Sequence, residues 1–477
     1  MIAQSTFTQQ EITLPFGRDG GLRVRKLWLF LLLTLLAAAF LRFYGLDRWS
    51  FWTDELYTML KAPTLRIISE GIPDDQHPPL YLILVHYLLL VGDGEIWLRL
   101  PSAIAGFLAI PFMYRTAVLL GNERWGLLTA VLFTFSPLLI WYAREARMYG
   151  PAQLAWGMSL YFYVRILRRD RWFDAVGLAV STLLGIFLTY STLGLWAIEV
   201  GLFLLIWHLF GHKMGRLFRF IAAQMGIAAV FIWWQPYFNQ QMGRNLVFDW
   251  AIIPGLDFST TLDGLGQVMM IGAAGLLLGG TLLWLLVWWQ PRLLALAQKM
   301  APLTAVLIVI LFTVVLIIGT IPRGLSIRRQ LLVFMPLLIL AGAWALLTLH
   351  QRWLTVGLIG LAAVLSLFPV FGPPVEDWRG VSAFISAEAE SGDKIIIAPG
   401  WQTMALDYYQ PSIPYSGVNR TEMPDEESGT RIWFILADHP LTKSQTQTAE
   451  NWYTEHGRLL SSTDFSRYIT VIEYQIE

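Results

Sequence analysis

The sequence has no cysteine and few charges. Among its 477 residues there is no cysteine, which excludes disulfides, thiolate metal sites and a cysteine nucleophile. Charged residues make up 14% of the chain, against about 25% in an ordinary soluble domain. The net charge is zero, so no basic excess points to nucleic acid as a partner. What is present instead is a strongly apolar chain, 56% hydrophobic with 22 tryptophans.

Apolar runs long enough to cross a bilayer recur along most of the chain. A spanning helix needs about 20 apolar residues, and hydropathy predicts eleven such spans in an all-α, polytopic membrane protein. The first is predicted to be a membrane helix rather than a signal peptide, because no small-residue cleavage site follows it. The predicted spans are 27–44, 99–120, 124–142, 150–167, 173–190, 193–210, 217–236, 263–289, 301–321, 331–349 and 352–371.

The segment 79–92, "PLYLILVHYLLLVG", decides the predicted topology. Its 14 residues suit a re-entrant or interfacial helix better than a membrane span. If it does not span, the basic junctions 168–172, 211–219 and 288–299 all lie in the cytoplasm, as the positive-inside rule favours. We therefore predict a multi-pass protein of the plasma membrane, with a cytoplasmic N-terminus and an extracytoplasmic C-terminus.

The composition changes after residue 372. Residues 373–477 contain 16 Asp and Glu against 7 Lys and Arg. The strand-like runs "KIIIAP", "RIWFILAD" and "RYITVIEYQI" alternate there with helix-like stretches such as "VSAFISAEAE", which predicts a small extracytoplasmic α/β domain. The chain is thus predicted to have three parts: a disordered cytoplasmic segment 1–26, a membrane domain 27–372 and a soluble domain 373–477.

Ionisable side chains collect in the loops that are predicted to lie outside. The first outer loop, 45–98, contains "WTDELY" with Asp54 and Glu55, and "DDQHPPLY" with His77. Such clusters usually line a polar cavity, because ionisable groups at membrane depth are costly. Taken alone, the adjacent carboxylates fit either a hydrated helix stop or a general base. His77 is either a polar cap before two prolines or a base or metal ligand.

Arginines form two further clusters on the same predicted side. The second outer loop, "WYAREARMYGP", holds Arg144, Glu145, Arg147 and Tyr149. A later loop, "IPRGLSIRRQ", holds Arg323, Arg328 and Arg329, against the positive-inside trend. Guanidinium groups suit a phosphate ligand, which they bind bidentately. Interfacial snorkelling is the competing explanation of each cluster taken by itself.

The order of these motifs resembles the GT-C superfamily of membrane glycosyltransferases. Asp-Glu follows the first helix, His-Pro-Pro-Leu comes next, and Arg-Leu-Pro-Ser-Ala opens a predicted helix. The pattern is most similar to the branch with protein O-mannosyltransferases, aminoarabinose transferases of lipid A and RgtA/B/C/D-like bacterial enzymes, and it covers about residues 25–210. The matching residues are Asp54, Glu55, His77, Pro78, Pro79, Leu80, Arg99, Leu100, Pro101 and Ser102.

The resemblance implies a GT-C fold with juxtamembrane helices in the first outer loop, which would be catalytic. It also implies inverting transfer of a sugar from a polyprenyl-phosphate donor to a hydroxyl of a lipid, glycan or protein acceptor. Asp54 would be the general base, with Glu55 beside it. A divalent metal is a further candidate cofactor, with Glu55 and His77 as its ligands. Together with the loop chemistry, this predicts as substrate-binding residues His77, Arg99, Arg144, Glu145, Arg147, Tyr149, Arg323 and Arg329.

Two other functions fit parts of the same sequence. A transporter or flippase of a lipid-linked or anionic substrate is the first alternative, although transporters tend to show inverted repeats and midplane charges. No repeat is evident here, and the ionisable residues concentrate at one predicted face. A membrane scaffold whose 373–477 domain binds partners is the second. Product formation without a transmembrane gradient would separate the enzyme from the transporter.

Overall fold

The computed structural model describes most of the chain, and contacts divide it into two compact units. The helical unit comprises Met1–Tyr44, Glu70–Tyr81 and Pro101–Val370, and the sheet unit comprises Gly45–Ser69, Leu82–Leu100 and Phe371–Glu477. Residues 1–23 of the predicted disordered segment 1–26, the span 263–289 and most of 301–321 lie outside the described residues, whereas 24–26 are helical. The structure describes residues 24–62, 77–169, 171–210, 214–242, 303, 306–311, 313–314, 329, 331–410, 414–418, 427–437 and 443–477.

Helices make up most of the described chain, as predicted. Every predicted span between 27 and 242, and both between 331 and 371, contains helix. In chain order the helices are α1 Val24–Phe43, α2 Thr53–Lys61, α3 Leu80–Leu89, α4 Glu95–Leu120, α5 Glu123–Thr134, α6 Pro137–Ala143, α7 Tyr149–Arg168, α8 Trp172–Leu188, α9 Thr192–Phe210, α10 Met214–Met242, α11 Met335–Leu349, α12 Arg352–Leu365, α13 Phe368–Phe371, α14 Trp378–Glu388, α15 Thr403–Tyr409 and α16 Lys443–His456.

The predicted span 124–142 is broken rather than continuous. Helices α5 and α6 meet at a bend of 60°. Pro137 opens α6, and Ser136 before it is extended, with ψ of 113°. The residue before a proline is disfavoured in the α region, because the proline ring collides with its backbone. Arg-Leu-Pro-Ser-Ala also differs from the prediction: α4 begins at Glu95, so the motif lies inside the helix rather than at its start.

The helices of the helical unit expose large apolar side chains, as membrane helices do. Trp28 in α1 and Trp233 in α10 are 62% and 68% exposed. Within the described residues, three helices are long and apolar enough to cross a membrane, or four if the bent pair α5 and α6 counts as one span. The chain is therefore a membrane protein, and the total of eleven spans stays a prediction.

The doubtful segment 79–92 contains a short helix. Helix α3 has ten residues, which at 1.5 Å per residue extend about 15 Å, half of the hydrocarbon core. It begins directly after Pro78 and Pro79, which are buried. A helix of this length cannot cross a bilayer by itself, which agrees with the juxtamembrane assignment.

Close packing joins α4 to α7 within the helical unit. Gly150 lies against the backbone of Ser102, and a Cβ added at this glycine would come within 2.5 Å of the Ser102 carbonyl oxygen. The Ser102 hydroxyl donates to the carbonyl of Arg147 at 2.9 Å. The second predicted site loop is thus held against α4 by both contacts.

The described part of the sheet unit contains a mixed sheet of five strands. The strands are β1 Lys394–Ala398, β2 Tyr415–Gly417, β3 Arg431–Ala437, β4 Gly457–Asp464 and β5 Ile469–Ile476. Their order is β2-β1-β3-β5-β4; β1 runs parallel to β2 and β3, and β5 runs antiparallel to β3 and β4. The three predicted strands are β1, β3 and β5, so the predicted α/β alternation is confirmed for 378–477.

The centre of this sheet is buried and apolar. Phe434 in β3 pairs with Ile396 of β1 on one side and Ile472 of β5 on the other. Tyr453 of α16 packs on Phe434 with ring centroids 4.7 Å apart. The sequence did not predict β2 and β4, because β2 has three residues and β4 exposes Leu459 and most of its other side chains.

Replacing Gly150 by alanine should destabilise the protein by about 1–3 kcal/mol, because the added methyl group meets backbone that cannot rotate away. Gly226 in α10 is the matched control, since nothing lies within 4 Å of a Cβ added there. Gly226→Ala should be neutral or stabilising, as alanine is the better helix former. Thermal unfolding in detergent, followed by tryptophan fluorescence, measures both. Equal shifts in the two variants would contradict the packing described.

Candidate active site

Arg99 in α4 organises the loop that precedes α2. Its Nε donates to Glu55 Oε1 at 2.8 Å, and its Nη2 donates to Glu55 Oε2 at 2.6 Å. Its Nη1 donates to the carbonyls of Leu46 and Trp49 at 2.6 and 2.8 Å, and Nη2 donates to that of Ser50 at 3.0 Å. A guanidinium has five N–H donors, and these contacts use all of them.

Glu55 is therefore bound by Arg99 through both carboxylate oxygens. The carboxylate is fully buried, and both of its oxygens accept from the guanidinium. Glu55 Oε2 also lies 3.3 Å from the backbone N–H of Trp52, at the entrance to α2. A buried charge needs such a partner, because desolvation without one is costly. The predicted substrate-binding role of Arg99 stays a prediction, and its observed contacts are with the protein.

Asp54 lies beside Glu55 but has a different environment. Successive helical residues point about 100° apart, and Asp54 is partly exposed where Glu55 is buried. Both belong to the first turn of α2, where a negative charge is favoured by the helix dipole. The two adjacent carboxylates thus separate into an enclosed one and an accessible one.

Glu376 holds the start of α2 from the other side. Its buried Oε2 accepts from the Thr53 N–H at 2.8 Å, the Thr53 hydroxyl at 2.6 Å and Trp378 Nε1 at 2.7 Å. Burial raises the pKa of the Glu376 carboxyl; the hydrogen bonds from Thr53 and Trp378 oppose this rise, and the charge of Asp54 adds to it. The carboxylate caps a helix whose first N–H groups have no partner within the helix.

Further contacts join the same loop to the C-terminal part of the sheet unit. The Ser50 hydroxyl donates to the Glu376 carbonyl at 2.9 Å and accepts from the Trp378 N–H at 3.1 Å. Tyr409 Oη accepts from the Phe51 N–H at 2.7 Å and donates to Glu95 at 3.0 Å. The loop before α2 is thus fixed by buried polar contacts along its length.

Arg144 and Arg42 cap helices of the helical unit. Arg144 Nη1 contacts the last carbonyls of α1 and the one beyond, those of Leu41 at 3.2 Å and Tyr44 at 2.8 Å. Arg42 donates in the same way to Phe133 and Thr134 at the end of α5. Cations at helix C-termini satisfy free carbonyls and the dipole together. Arg144 therefore has a structural role.

The other predicted residues of the second outer loop are also buried. Glu145 Oε1 accepts from Trp141 Nε1 at 2.7 Å. Arg147 is 5% exposed, and its carbonyl accepts from Ser102. Tyr149 opens α7 and packs edge-on against Tyr142, with ring centroids 4.7 Å apart. All three side chains are thus buried in the structure.

The remaining predicted site residues are His77, Arg323 and Arg329. The His77 carbonyl accepts from Gln241 Nε2 at 3.1 Å, and the residue is partly exposed. Arg329 is partly buried, and Arg323 lies outside the described residues. Over the part of the chain that the structure describes, no three His, Asp or Glu side chains gather as metal ligands do. Arg99 donates to both oxygens of Glu55, and the predicted metal ligation by Glu55 and His77 stays a prediction.

Sequence reasoning missed Glu376, Ser50 and Tyr409. Glu376 lies 323 positions from its partner Thr53, and no local pattern reports such a pairing. The only available signal was an acidic residue in the segment that joins the last predicted span to the soluble domain.

Arg99→Lys should destabilise the protein nearly as much as Arg99→Ala, by about 3–5 kcal/mol, because removing one partner strands a buried charge. Lysine has three donors on one atom and cannot reach Glu55 and three carbonyls at once. Arg458→Lys, at an exposed site in β4, is the matched control and should change nothing. Thermal unfolding and limited proteolysis of the 45–62 segment measure the effect; a Lys variant as stable as the parent would contradict it.

A comparison with protein families matches one part of the chain. Residues 76–237 match the model of the family described as dolichyl-phosphate-mannose-protein mannosyltransferase. The matched segment includes His77, Arg99 and the second-loop cluster, and it begins after Asp54 and Glu55. No curated protein matches the sequence.

Solved structures of two proteins are similar to the whole chain at low identity. ArnT from Cupriavidus metallidurans, bound to undecaprenyl phosphate, is 13% identical over 94% of this chain and 98% of its own, with a TM-score of 0.40. The oligosaccharyltransferase of Archaeoglobus fulgidus, in a complex with Zn and sulfate, is 12% identical over 94% of this chain and 73% of its own, with a TM-score of 0.42. The family match confirms, over residues 76–237, the resemblance to the GT-C superfamily of membrane glycosyltransferases that the loop motifs predicted.

Proposed function

We propose that the protein transfers a sugar from a polyprenyl-phosphate donor to an acceptor hydroxyl at the outer face of the plasma membrane, with inversion at the anomeric carbon. The acceptor is a lipid, glycan or protein. The family match supports glycosyl transfer, and the polyprenyl-phosphate donor accounts for an enzyme built into the bilayer. The assignment of the base rests on the different environments of the two carboxylates: Asp54 is partly exposed, whereas Glu55 is buried and bound by Arg99.

Asp54 is the carboxylate that is available for proton transfer. A general base must reach the proton that it removes, and Asp54 is partly exposed at the first turn of α2. Glu55 is buried and bound by Arg99, so it acts as an orienting residue. The residues on both sides of Asp54 in the chain are held by buried charges, which keeps its backbone in one place.

The proposed reaction is a single displacement. Asp54 takes the proton of the acceptor hydroxyl. At the same time the acceptor oxygen attacks the anomeric carbon from the face opposite the phosphate. The new glycosidic C–O bond forms as the bond from the anomeric carbon to the phosphate oxygen breaks. The electron pair leaves with the lipid phosphate, and the proton remains on Asp54 until solvent removes it.

Arg147 is the proposed phosphate-binding residue of the helical unit. A developing negative charge is stabilised by fixed cations in a site from which water is excluded. Arg147 is buried, and a buried charge acts through a lower dielectric than water. Arg144 donates to the carbonyls at the end of α1. A divalent metal stays a proposal for this site, and no step of the reaction above requires one.

Asp54→Asn should abolish transfer, with a loss of about 100-fold or more, because amides do not accept the proton and base catalysis contributes about 10²–10⁴-fold. The assay uses the purified protein in proteoliposomes with a panel of undecaprenyl-phosphate hexoses. Mass spectrometry of glycolipids and glycoproteins from cells with and without the protein identifies the acceptor.

Asp93→Asn is the matched control for this substitution, since Asp93 is exposed in the same sheet unit. It should keep the parental rate. Parental transfer by Asp54→Asn would refute the assignment of the base. Product formed only with a transmembrane gradient would favour the transporter instead.

Arg147→Gln should weaken binding of undecaprenyl phosphate by at least about tenfold, because a charge-assisted bond to a phosphate contributes about 1.5–3 kcal/mol. Arg144→Gln should instead lower the unfolding temperature, because α1 loses its C-terminal cap. Arg352→Gln, at an exposed site in α12, should change neither property. Tryptophan quenching by the lipid and thermal unfolding separate the two effects; equal lipid affinity in Arg147→Gln and the parent would refute the phosphate role.

A further inference from the structure

Helix α2 is too short to hold its own shape. It has nine residues, and isolated helices below about 12 residues are marginal in water. Its order must therefore come from contacts with the rest of the sheet unit. Two of these contacts are buried charges at its first turn: Arg99 on Glu55 and Glu376 on Thr53.

These two contacts fix the residues directly before and after Asp54. Thr53 is held through its N–H and its hydroxyl, and Glu55 through both carboxylate oxygens. The Thr53 hydroxyl lies in addition 2.8 Å from the side-chain amide of Gln402. Because the backbone is anchored on each side of Asp54, these contacts of Thr53 and Glu55 fix the position of Asp54.

The Glu376 anchor comes from the segment that leads into the sheet. Glu376 precedes Asp377, the N-cap of α14, and its carboxylate also accepts from the indole of Trp378, which is fully buried. The indole therefore holds the carboxylate oriented toward Thr53. Ser50 binds the backbone of the same segment on both sides of Asp377.

We propose that Glu376 is a positioning residue for Asp54, and that the C-terminal segment thereby completes the catalytic loop. This inference rests on the proposed role of Asp54 as the base. It assigns to Glu376 no contact with substrate. Its carboxylate sets the start of α2, and a displacement of about 1 Å at a reacting group can cost about 100-fold in rate.

The absence of cysteine makes the position of α2 directly measurable. Leu60, in the last turn of α2, is 62% exposed, and Leu60→Cys would be the single thiol of the chain. A nitroxide attached there reports the mobility of α2 without any substrate. Glu376→Ala should increase the mobile component of its spectrum, because Thr53 loses its buried acceptor.

The kinetic expectation is specific. Glu376→Ala should lower kcat for transfer from undecaprenyl-phosphate hexoses by about 10- to 100-fold, with KM for the donor within about threefold of the parent. Glu376→Gln should recover most of the rate and keep α2 immobile, since its amide oxygen can accept the same hydrogen bonds without the charge.

Asp377→Asn is the matched control. It makes the same acid-to-amide change one residue away, and asparagine remains a good N-cap for α14. It should leave both the nitroxide spectrum and kcat at parental values. Unfolding temperatures of all variants identify a general loss of fold. If the Glu376→Ala variant does not fold, the Glu376→Gln variant is compared with the parent instead.

The inference would be overturned if Glu376→Ala kept the parental spectrum and kcat, or if its losses matched those of Asp377→Asn. It would also be overturned if KM and kcat changed together while α2 stayed immobile. Failure of the proposed function looks different: Asp54→Asn would then retain transfer, and the label would still become mobile in Glu376→Ala.

Discussion

Burial of the Arg99 guanidinium is the interaction on which the candidate site depends. One side chain draws three backbone carbonyls and a carboxylate toward a single point. None of these groups can be left without a partner, because an unpaired buried polar atom costs about 1–3 kcal/mol. The loop before α2 has almost no regular structure of its own, so this requirement selects its conformation. The direction in which α2 leaves the loop, and hence the place of Asp54, follows.

The same use of charge recurs in the helical unit. Arg42 and Arg144 each bind carbonyls at the end of another helix, so they join elements that are otherwise held by apolar packing. In a chain with few charges, such arginines are structural even where they lie within a cluster that predicts ligand binding. Arg144 is an example, because its guanidinium binds the end of α1. Spacing along the chain does not show this contact.

Hydropathy predicted the helices well because the apolar runs are long and distinct. The bend between α5 and α6 was also within reach, since Pro137 disfavours helix at Ser136. The different roles of Asp54 and Glu55 could not be predicted. Their adjacency shows only that the two side chains point in different directions, and not which of them contacts Arg99. The pairing of Thr53 with Glu376 is a tertiary contact, so no window along the chain could show it. Strands β2 and β4 were missed because one is short and the other exposed.

The contacts also change how the C-terminal part of the chain is understood. Composition predicts a soluble domain over 373–477, and the described contacts group 371–477 with residues 45–69 and 82–100. Glu376, Ser50 and Tyr409 show why: the loop has buried donors and acceptors whose partners come from that part. The proposed base has to be held in place. Anchoring its two neighbours in the chain, Thr53 and Glu55, fixes the backbone of Asp54 on both sides.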